Sequence, residues 1–374
     1  MKQYSIMLKP ASSLCNLRCR YCFYCDVANL RGVVSFGVMS EEVMRKILQS
    51  VARSVSADDR VTFAFQGGEP TMAGLSFFRQ FVQAADELLP GIELSYALQT
   101  NATLLDEQWC RFLKEHNVLV GVSYDILPEL HDAVRVDAGQ NPTSERVRQA
   151  IRLLEQHHVE YNVLCTLTNQ IARHPQQVWK QLVRLNIGHT QFTPCLDELN
   201  RPGESVYALT PKRFASFYNT LFPYWLADYR AGKYRSVKFF DDVITYLAFG
   251  VPGTCGMGGM CQPQLVVEAD GSAYPCDFYC LDAFKLGSLT ELTVPELLDA
   301  PAARAFAQRS HTPPQRCGGC RFFGFCGGGC KRMQREICCS GTDSFCGYAS
   351  FLETNFEALR EIALAEQRAR RSLR

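Results

Sequence analysis

The sequence predicts an α/β protein: a partial (β/α)6 barrel, of the TIM-like kind, followed by a cysteine-rich domain and a C-terminal helix. Three observations predict this fold. Apolar strand-like runs alternate with helix-like segments, small and polar residues follow each strand, and eleven of the eighteen cysteines lie between positions 255 and 346. Strands that are separated by helices pair in parallel and are buried on both faces. The predicted domains are residues 1–232 for the barrel and 233–374 for the cysteine-rich part.

Each element of the barrel has its own signal in the sequence. The strand-like runs are SIMLKP (5–10), VTFAF (61–65), ELSYALQT (93–100), LVGVSYD (119–125), YNVLCTLT (161–168) and HTQFTPCL (189–196). The helix-like segments lie near 40–56, 74–89, 106–116, 144–157 and 174–186. SEE at 40–42 predicts an N-cap and an acidic first turn for the first of these helices.

Working residues of parallel barrels lie at the C-terminal ends of the strands, and this sequence concentrates polar motifs there. Each motif alone is typical of an ordinary loop, but the recurrence after all six strands predicts a site. The motifs are the first cysteine cluster, QGGEP (66–70), QTNAT (99–103), SYD (123–125), TN (168–169) and PCL (194–196).

Composition excludes several classes of protein. The 39 basic and 38 acidic residues are nearly balanced, which disfavours nucleic acid and anionic membranes as partners. No apolar stretch approaches the roughly 20 residues that span a bilayer, and the N-terminal apolar run is too short for a signal peptide. Eighteen cysteines in such a chain favour metal or cluster binding in the reducing cytoplasm over disulfides.

The first cysteine cluster has the spacing C-x3-C-x2-C, formed by Cys15, Cys19 and Cys22. Structural zinc sites use four ligands and disulfides use pairs, whereas three thiolates leave one position open for chemistry. This trio, with GGEP after the second strand, resembles the radical S-adenosylmethionine (SAM) superfamily. The resemblance implies that three thiolates hold a 4Fe–4S cluster whose fourth iron binds SAM. A fourth thiolate would block that iron, so Cys25 is interpreted as a bystander.

The same resemblance implies a set of SAM-binding residues. Gly67 and Gly68 would let the backbone approach the methionine moiety, because glycine has no side chain to obstruct a ligand. Glu69 would bind the SAM ammonium, and Arg135 would bind its carboxylate in bidentate fashion. Further cofactor contacts are expected at Tyr21, Ser123 and Leu196.

The C-terminal cysteines form a second pattern. VVEADGSAYPCD (266–277) predicts a β-hairpin with a DG turn that ends at Cys276. With the following CGGCRFFGFCGGGC, this region resembles the SPASM extension, which carries two auxiliary 4Fe–4S clusters. The resemblance implies one cluster on Cys255, Cys261, Cys276 and Cys330, and another on Cys317, Cys320, Cys326 and Cys346. Cys338 or Cys339 could replace Cys346, and a pair of zinc ribbons is the competing interpretation.

Five motifs narrow the resemblance further: MLKPASSLCNLRCRYCFY, FAFQGGEPT, LQTNATL, HDAVR and PCDFY. They resemble, in the same order, anaerobic sulfatase-maturating enzymes, which oxidise a cysteine or serine of a sulfatase to formylglycine through a 5′-deoxyadenosyl radical. Asp277, beside Cys276, is the residue expected to act as base, and Tyr24 either lines the same pocket or packs there. The implied partners are a sulfatase segment of the form Cys/Ser-x-Pro-x-Arg and an electron donor such as flavodoxin or ferredoxin.

Two alternative functions are compatible with parts of the pattern. A SPASM-type maturase of a ribosomal natural-product peptide would carry out crosslinking, thioether formation or epimerisation, and such enzymes often carry an N-terminal recognition domain. The first strand begins by about residue 5, which leaves no room for that domain. A simple iron–sulfur electron carrier would leave the barrel pattern and GGE unexplained.

One departure from the family pattern concerns the turn after the fourth strand. The family usually has S-x-D-G-P, whereas this chain has SYDILPE (123–129), with Ile126 in place of glycine. Because isoleucine tolerates a positive φ badly, this turn is predicted to follow another path.

Overall fold

The computed structural model describes residues 1–308, 314–339 and 345–372. Within them the strands are β1 (Gln3–Leu8), β2 (Arg60–Phe65), β3 (Glu93–Thr100), β4 (Leu119–Ser123), β5 (Tyr161–Leu167), β6 (His189–Pro194), β7 (Ser236–Val237), β8 (Leu265–Val267), β9 (Ser272–Tyr274) and β10 (Gly287–Ser288). The six predicted barrel strands are therefore present, each within two residues of its expected start.

The helices follow the same chain order. They are α1 (Phe23–Asn29), α2 (Glu41–Ala52), α3 (Leu75–Leu88), α4 (Glu107–Glu115), α5 (Pro128–Val134), α6 (Ser144–Gln156), α7 (Pro175–Arg184), α8 (Pro211–Arg230), α9 (Lys238–Phe249), α10 (Val294–Leu298), α11 (Pro301–Gln308), α12 (Phe323–Cys326), α13 (Gln334–Ile337) and α14 (Gly347–Ser372). Short 3₁₀ turns include Pro70–Ala73 and Asp277–Tyr279. None of the helices in these ranges has the length and apolarity needed to cross a membrane.

The chain packs as two compact units. The first contains residues 1–124, 131–161 and the segment from 263 to the end of α11, and the second contains 125–130, 162–262 and the described residues from 314 onward. The sequence-based boundary at 232 remains a prediction.

The sheet of the first unit combines the N-terminal strands with the hairpin near residue 270. Strands β1, β2, β3 and β4 are parallel neighbours in that order. On the other side of β1, β8 pairs in parallel, with Leu8 opposite Val267. Strand β9 then returns antiparallel to β8 around Asp270 and Gly271, so the predicted hairpin is confirmed. The pairing places the ends of β1, β2 and β8 side by side, and the candidate site lies there.

Local capping and burial explain the first unit's helices. Ser40 accepts a hydrogen bond from the Val43 N–H at the start of α2, as SEE predicted, and Asp106 does the same for Trp109 at α4. The inner face of α3 contributes Phe78 and Phe81, which pack edge-to-face on Phe65 of β2. These rings close the core behind the first two strands.

The second unit contains β5, β6 and β7 in parallel, together with the long helices α8, α9 and α14. Its core is aromatic: Phe240 of α9 stacks on Phe351 of α14, with ring centroids 5.7 Å apart, and Phe222 of α8 packs against both rings. Helices α8 and α9 follow the last barrel strand and lie outside the segments that were predicted to be helical from the sequence. The predicted terminal helix is confirmed as α14.

Candidate functional site

The first cysteine loop is held against the end of β2 by the glycine pair. The Gly68 N–H donates to the Ser12 carbonyl at 2.9 Å, and the Glu69 N–H donates to the Leu14 carbonyl at 2.7 Å. A Cβ on Gly68 would overlap the Leu14 carbonyl, and Gly67 has φ +127°. Both glycines are therefore required by the packing of the cysteine loop, a reason that the sequence argument about SAM did not include.

The three thiols of this loop are close neighbours. Burial raises the pKa of Cys15 to about 12, and the thiols of Cys19 and Cys25 are among the groups that raise it. The Cys15 sulfur accepts hydrogen bonds from the Leu17 N–H at 3.3 Å and from the Asn101 amide at 3.9 Å. Donors of this kind around a sulfur suit a cluster thiolate, so the residues present fit an iron–sulfur cluster.

Cys25 lies beside this set. Its thiol and that of Cys22 hydrogen-bond to each other, which lowers the pKa of Cys25 to about 6 and raises that of Cys22. Its interpretation as a bystander remains a prediction. In the described ranges no three His, Cys, Asp or Glu side chains converge as ligands of one metal ion do. Thiols of a four-iron cluster bind separate irons and need not converge.

Glu69 is buried, with 1% of its surface exposed, and its carboxylate joins its own turn to the end of β3. Oε1 accepts from the Thr71 N–H and hydroxyl and from the Thr100 hydroxyl, and Oε2 accepts from the Asn101 N–H at 2.7 Å. Burial raises its pKa, while these donors oppose the rise. An ionised carboxylate has about four acceptor positions, so Oε2 can accept a further hydrogen bond.

The other predicted SAM-binding residues occupy three places. The Arg135 guanidinium carbon lies 5.4 Å from the centre of the Tyr21 ring, so these two residues are brought together. Ser123, at the end of β4, accepts a hydrogen bond from Gln99 at 3.0 Å. Leu196 lies in the second unit, half-buried after β6.

The turn at Ile126 differs from the sequence prediction. Isoleucine was expected to divert the backbone, but Ile126 adopts φ +62° and its side chain is fully buried. The neighbouring Asp125 is also buried, and its carboxylate accepts the Thr166 N–H at 3.0 Å. The prediction of another path was wrong because burial of the side chain outweighs the backbone strain.

Asp277 lies at the start of a 3₁₀ turn after β9, in a network of buried donors. Its Oδ2 accepts from the Tyr24 hydroxyl at 2.6 Å and from the Gln66 amide at 3.2 Å. Its Oδ1 is 3.0 Å from the Lys9 ammonium. Burial, and then the Asp277 charge, raise the pKa of Tyr24 well above its usual value, so the phenol remains a donor.

Sequence reasoning missed Lys9 and Gln66 as members of this network. Both follow the strand ends that the barrel rule identified, since Lys9 directly follows β1 and Gln66 directly follows β2. That position was the available signal. Tyr24 contacts the candidate base, which favours the pocket over simple packing.

The thiols proposed for the first auxiliary cluster fall in different units. Cys276 belongs to the first unit, and Cys255, Cys261 and Cys330 belong to the second. Burial raises the pKa of Cys255, and the neighbouring Cys330 and Cys261 thiols raise it further. These three thiols are therefore brought together, and the participation of Cys276 remains a prediction.

The thiols proposed for the second auxiliary cluster all lie in the second unit. Burial raises the pKa of Cys326 to about 11, and the thiols of Cys346, Cys320 and Cys317 raise it too. Cys338 hydrogen-bonds to Cys346 and thereby lowers the pKa of Cys346 to about 6. The Cys346 thiol therefore lies near those of Cys317, Cys320 and Cys326, as expected for the second auxiliary set. The Cys338 thiol is its hydrogen-bond partner.

A cavity of about 150 Å³ lies within the second unit between the two sets of thiols. Its walls include Cys255, Cys330 and Cys326, and Tyr348 and Phe239 from the aromatic core. Thiols of both proposed auxiliary sets therefore line the same cavity.

Two family models match the chain. The model of the Radical SAM superfamily matches residues 10–175, and that of SPASM, an iron–sulfur cluster-binding domain, matches residues 255–321. Together with the thiol loop and the glycine pair, they define a radical SAM enzyme that carries a SPASM domain.

Curated relatives and a solved structure identify the family more narrowly. The cysteine-type anaerobic sulfatase-maturating enzyme of Clostridium novyi is 38% identical over 97% of this chain and 98% of its own length. The serine-type enzyme of Bacteroides thetaiotaomicron is 29% identical over 88% of this chain and 83% of its own. The structure of native anSMEcpe with bound AdoMet and Cp18Cys peptide is 36% identical, with a TM-score of 0.89, and covers 97% of this chain and 99% of that one. This chain belongs to the anaerobic sulfatase-maturating enzymes, and its predicted fold class is confirmed.

Proposed function

We propose that this enzyme oxidises a cysteine of a sulfatase polypeptide to formylglycine. One observation carries the proposal: the buried Asp277 carboxylate, held by Lys9, Tyr24 and Gln66, stands directly beside Cys276. The relative at 38% identity is of the cysteine type and the one at 29% is of the serine type, which favours cysteine as the substrate residue.

The proposed cofactors are SAM and three 4Fe–4S clusters. Cys15, Cys19 and Cys22 would hold the first, and the two auxiliary clusters would use the following thiols: Cys255, Cys261, Cys276 and Cys330, then Cys317, Cys320, Cys326 and Cys346. When bound, SAM and the first cluster would supply a 5′-deoxyadenosyl radical able to take a hydrogen atom from the substrate Cβ, and an auxiliary cluster would supply an acceptor for the remaining electron. The eighteen cysteines all lie in the described residues and form no disulfides there, which is compatible with cluster ligation.

The residues around SAM would bind and orient it. The Glu69 carboxylate, through Oε2, would accept from the SAM ammonium, and Arg135 would bind its carboxylate. Tyr21, Ser123 and Leu196 would contribute contacts to the rest of the molecule. Gly67 and Gly68 would fix the cysteine loop that holds the first cluster.

Asp277 would act as the general base. Conversion of CH₂–SH to a thioaldehyde removes two electrons and two protons: one hydrogen atom leaves Cβ, one proton leaves sulfur, and one electron leaves the resulting radical. Asp277 would take the sulfur proton, with the Tyr24 and Gln66 donors on Oδ2 stabilising the carboxylate before transfer. Water would then replace sulfur and release hydrogen sulfide.

The proposed partner is a segment of the form Cys-x-Pro-x-Arg in a sulfatase, with flavodoxin or ferredoxin as electron donor. The homologous structure holds AdoMet and a peptide described as Cp18Cys, which supports a peptide substrate.

The test is to incubate reduced, reconstituted protein with SAM and a Cys-x-Pro-x-Arg peptide, and to analyse the peptide by mass spectrometry. We expect an aldehyde in place of the thiol and release of sulfide. Matched peptides with serine or alanine at the same position measure the substrate preference and the background. A crosslinked, epimerised or unchanged cysteine peptide, alongside active SAM cleavage, would refute the proposal.

A further inference from the structure

Four buried charged residues form a chain of ion pairs that includes the candidate base, here called the buried quartet: Lys9, Arg31, Glu268 and Asp277. Between 1% and 7% of each residue's surface is exposed. Lys9 Nζ is 3.0 Å from Asp277 Oδ1 and 3.6 Å from Glu268 Oε1, and Arg31 Nη1 is 2.5 Å from the same Glu268 oxygen. Two cations and two anions balance, as buried charges must.

Sheet register fixes the position of Lys9 in this quartet. Lys9 follows β1 and Glu268 follows β8, and these parallel strands pair Leu8 with Val267. The Lys9 N–H donates to the Val267 carbonyl at 2.8 Å. The Lys9 backbone thus extends the hydrogen-bond ladder between β1 and β8 by one residue.

The Lys9 ammonium lies among two carboxylates and one sulfur. It forms ion pairs with Asp277 and Glu268, and it donates a hydrogen bond to the Cys280 sulfur at 3.2 Å. Burial lowers the pKa of Lys9, but attraction to the Asp277 and Glu268 carboxylates raises it, so the ammonium stays charged. Burial also raises the pKa of Cys280 to about 12, so that residue acts as a neutral thiol.

We propose that Lys9 is a positioning residue for Asp277: it fixes Oδ1 so that the carboxylate faces the substrate in one orientation, and Glu268 and Arg31 hold Lys9 in place. A carboxylate rotates readily about its terminal torsion unless both oxygens are bound. Tyr24 and Gln66 bind Oδ2, and Lys9 is the charged partner of Oδ1. This inference rests on the proposed role of Asp277 as base.

If Lys9 only balanced the buried charges, the expected outcome would differ from that of a positioning role. A double variant distinguishes these two roles of Lys9. Lys9→Met alone leaves two buried carboxylates with one cation and destabilises the protein whatever its role. Lys9→Met combined with Glu268→Gln restores neutrality with side chains of similar size. If Lys9 only balances charge, aldehyde formation returns in the double variant. If Lys9 positions Asp277, folding returns and aldehyde formation does not.

The experiment measures iron content, 5′-deoxyadenosine and formylglycine for wild type, the double variant, Lys9→Met and Lys9→Arg. Lys46→Met is the matched control, because Lys46 forms an exposed ion pair with Glu42 at 2.7 Å. In the double variant we expect normal iron content, continued SAM cleavage and unchanged KM for the peptide. Formylglycine per 5′-deoxyadenosine should fall at least about tenfold. Lys9→Arg should give a higher ratio than Lys9→Met, because it keeps a cation.

A normal formylglycine ratio in the double variant would overturn the inference. Parallel loss of iron and of both activities would overturn it too, since it assigns Lys9 to structure alone. Asp277→Asn, measured alongside, separates the two proposals. If Asp277→Asn blocks the aldehyde and the double variant does not, only the role of Lys9 fails. If Asp277→Asn is fully active, the base assignment fails, and the role of Lys9 fails with it.

Discussion

Replacing Asp277 by asparagine keeps the size of the side chain but changes what its two terminal atoms can do. The carboxylate accepts from Tyr24 and Gln66 on Oδ2 and pairs with Lys9 at 3.0 Å on Oδ1. Asparagine has one acceptor oxygen and one NH₂ group. If the oxygen stays with Tyr24 and Gln66, the NH₂ group faces the Lys9 ammonium, donor against donor.

Two magnitudes follow from this geometry. Removing the Asp277 charge leaves the buried Lys9 and Arg31 cations with one carboxylate, which should cost about 3–5 kcal/mol of stability, below the upper end of the roughly 5–15 kcal/mol typical of native proteins. Loss of a general base should lower formylglycine formation by about 10²–10⁴. Radical generation needs the first cluster, an electron and SAM, so 5′-deoxyadenosine should continue to form.

The assay quantifies both products from the same reaction, with iron content measured beforehand. Asp282→Asn is the matched control, because Asp282 lies five residues further on and accepts the Gly32 N–H at 2.8 Å outside the network. It should leave both products unchanged. Aldehyde formation by Asp277→Asn at the wild-type rate would refute the role of Asp277 as base, and loss of iron together with both products would indicate a turn-forming aspartate instead.

Four further outcomes are expected. Glu69→Gln should weaken SAM binding by about 1.5–3 kcal/mol with iron content unchanged; calorimetry checks this, and Thr100→Val, which removes a donor to Oε1 only, should weaken it less. Gly68→Ala should lower the iron of the first cluster and abolish SAM cleavage, because its Cβ overlaps the Leu14 carbonyl; normal activity would contradict this packing. Cys338→Ser should retain the iron that Cys346→Ser loses, as measured by iron analysis and visible absorbance. Replacing Cys15, Cys19 and Cys22 together by alanine should remove about a third of the iron and abolish SAM cleavage.

The barrel strands could be predicted because their signals are local. A buried parallel strand is a short apolar run, and the DG turn of the hairpin specifies its own geometry. The cysteine loop and the GGEP segment could be related to each other because both follow strands of one parallel sheet. Hydrogen bonds from Gly68 and Glu69 to the loop bear out that relation.

The network around Asp277 could not be predicted in this way, because it depends on pairing between distant segments. Strand β8 lies next to β1 although more than 250 residues separate Leu8 from Val267 in the chain. No local sequence pattern predicts that pairing. Without the pairing, nothing in the sequence indicates that Lys9 lies close to Asp277. The PCDFY motif indicates the candidate base, Asp277, but the cation beside it follows only from the register between β1 and β8.

The turn at Ile126 shows the same limit within a single residue. The Leu127 N–H donates to the Asp125 carbonyl at 2.6 Å, which closes a three-residue turn around Ile126 at φ +62°. Such a turn is strained for a β-branched residue, at a cost of about 1–3 kcal/mol. Full burial of an isoleucine side chain contributes about 1.5–3 kcal/mol in the opposite direction. Whether isoleucine adopts a positive φ here therefore depends on the difference between two free energies of similar size. The sequence indicates only the backbone preference of isoleucine, because the burial of its side chain depends on the residues that pack around it in the folded protein.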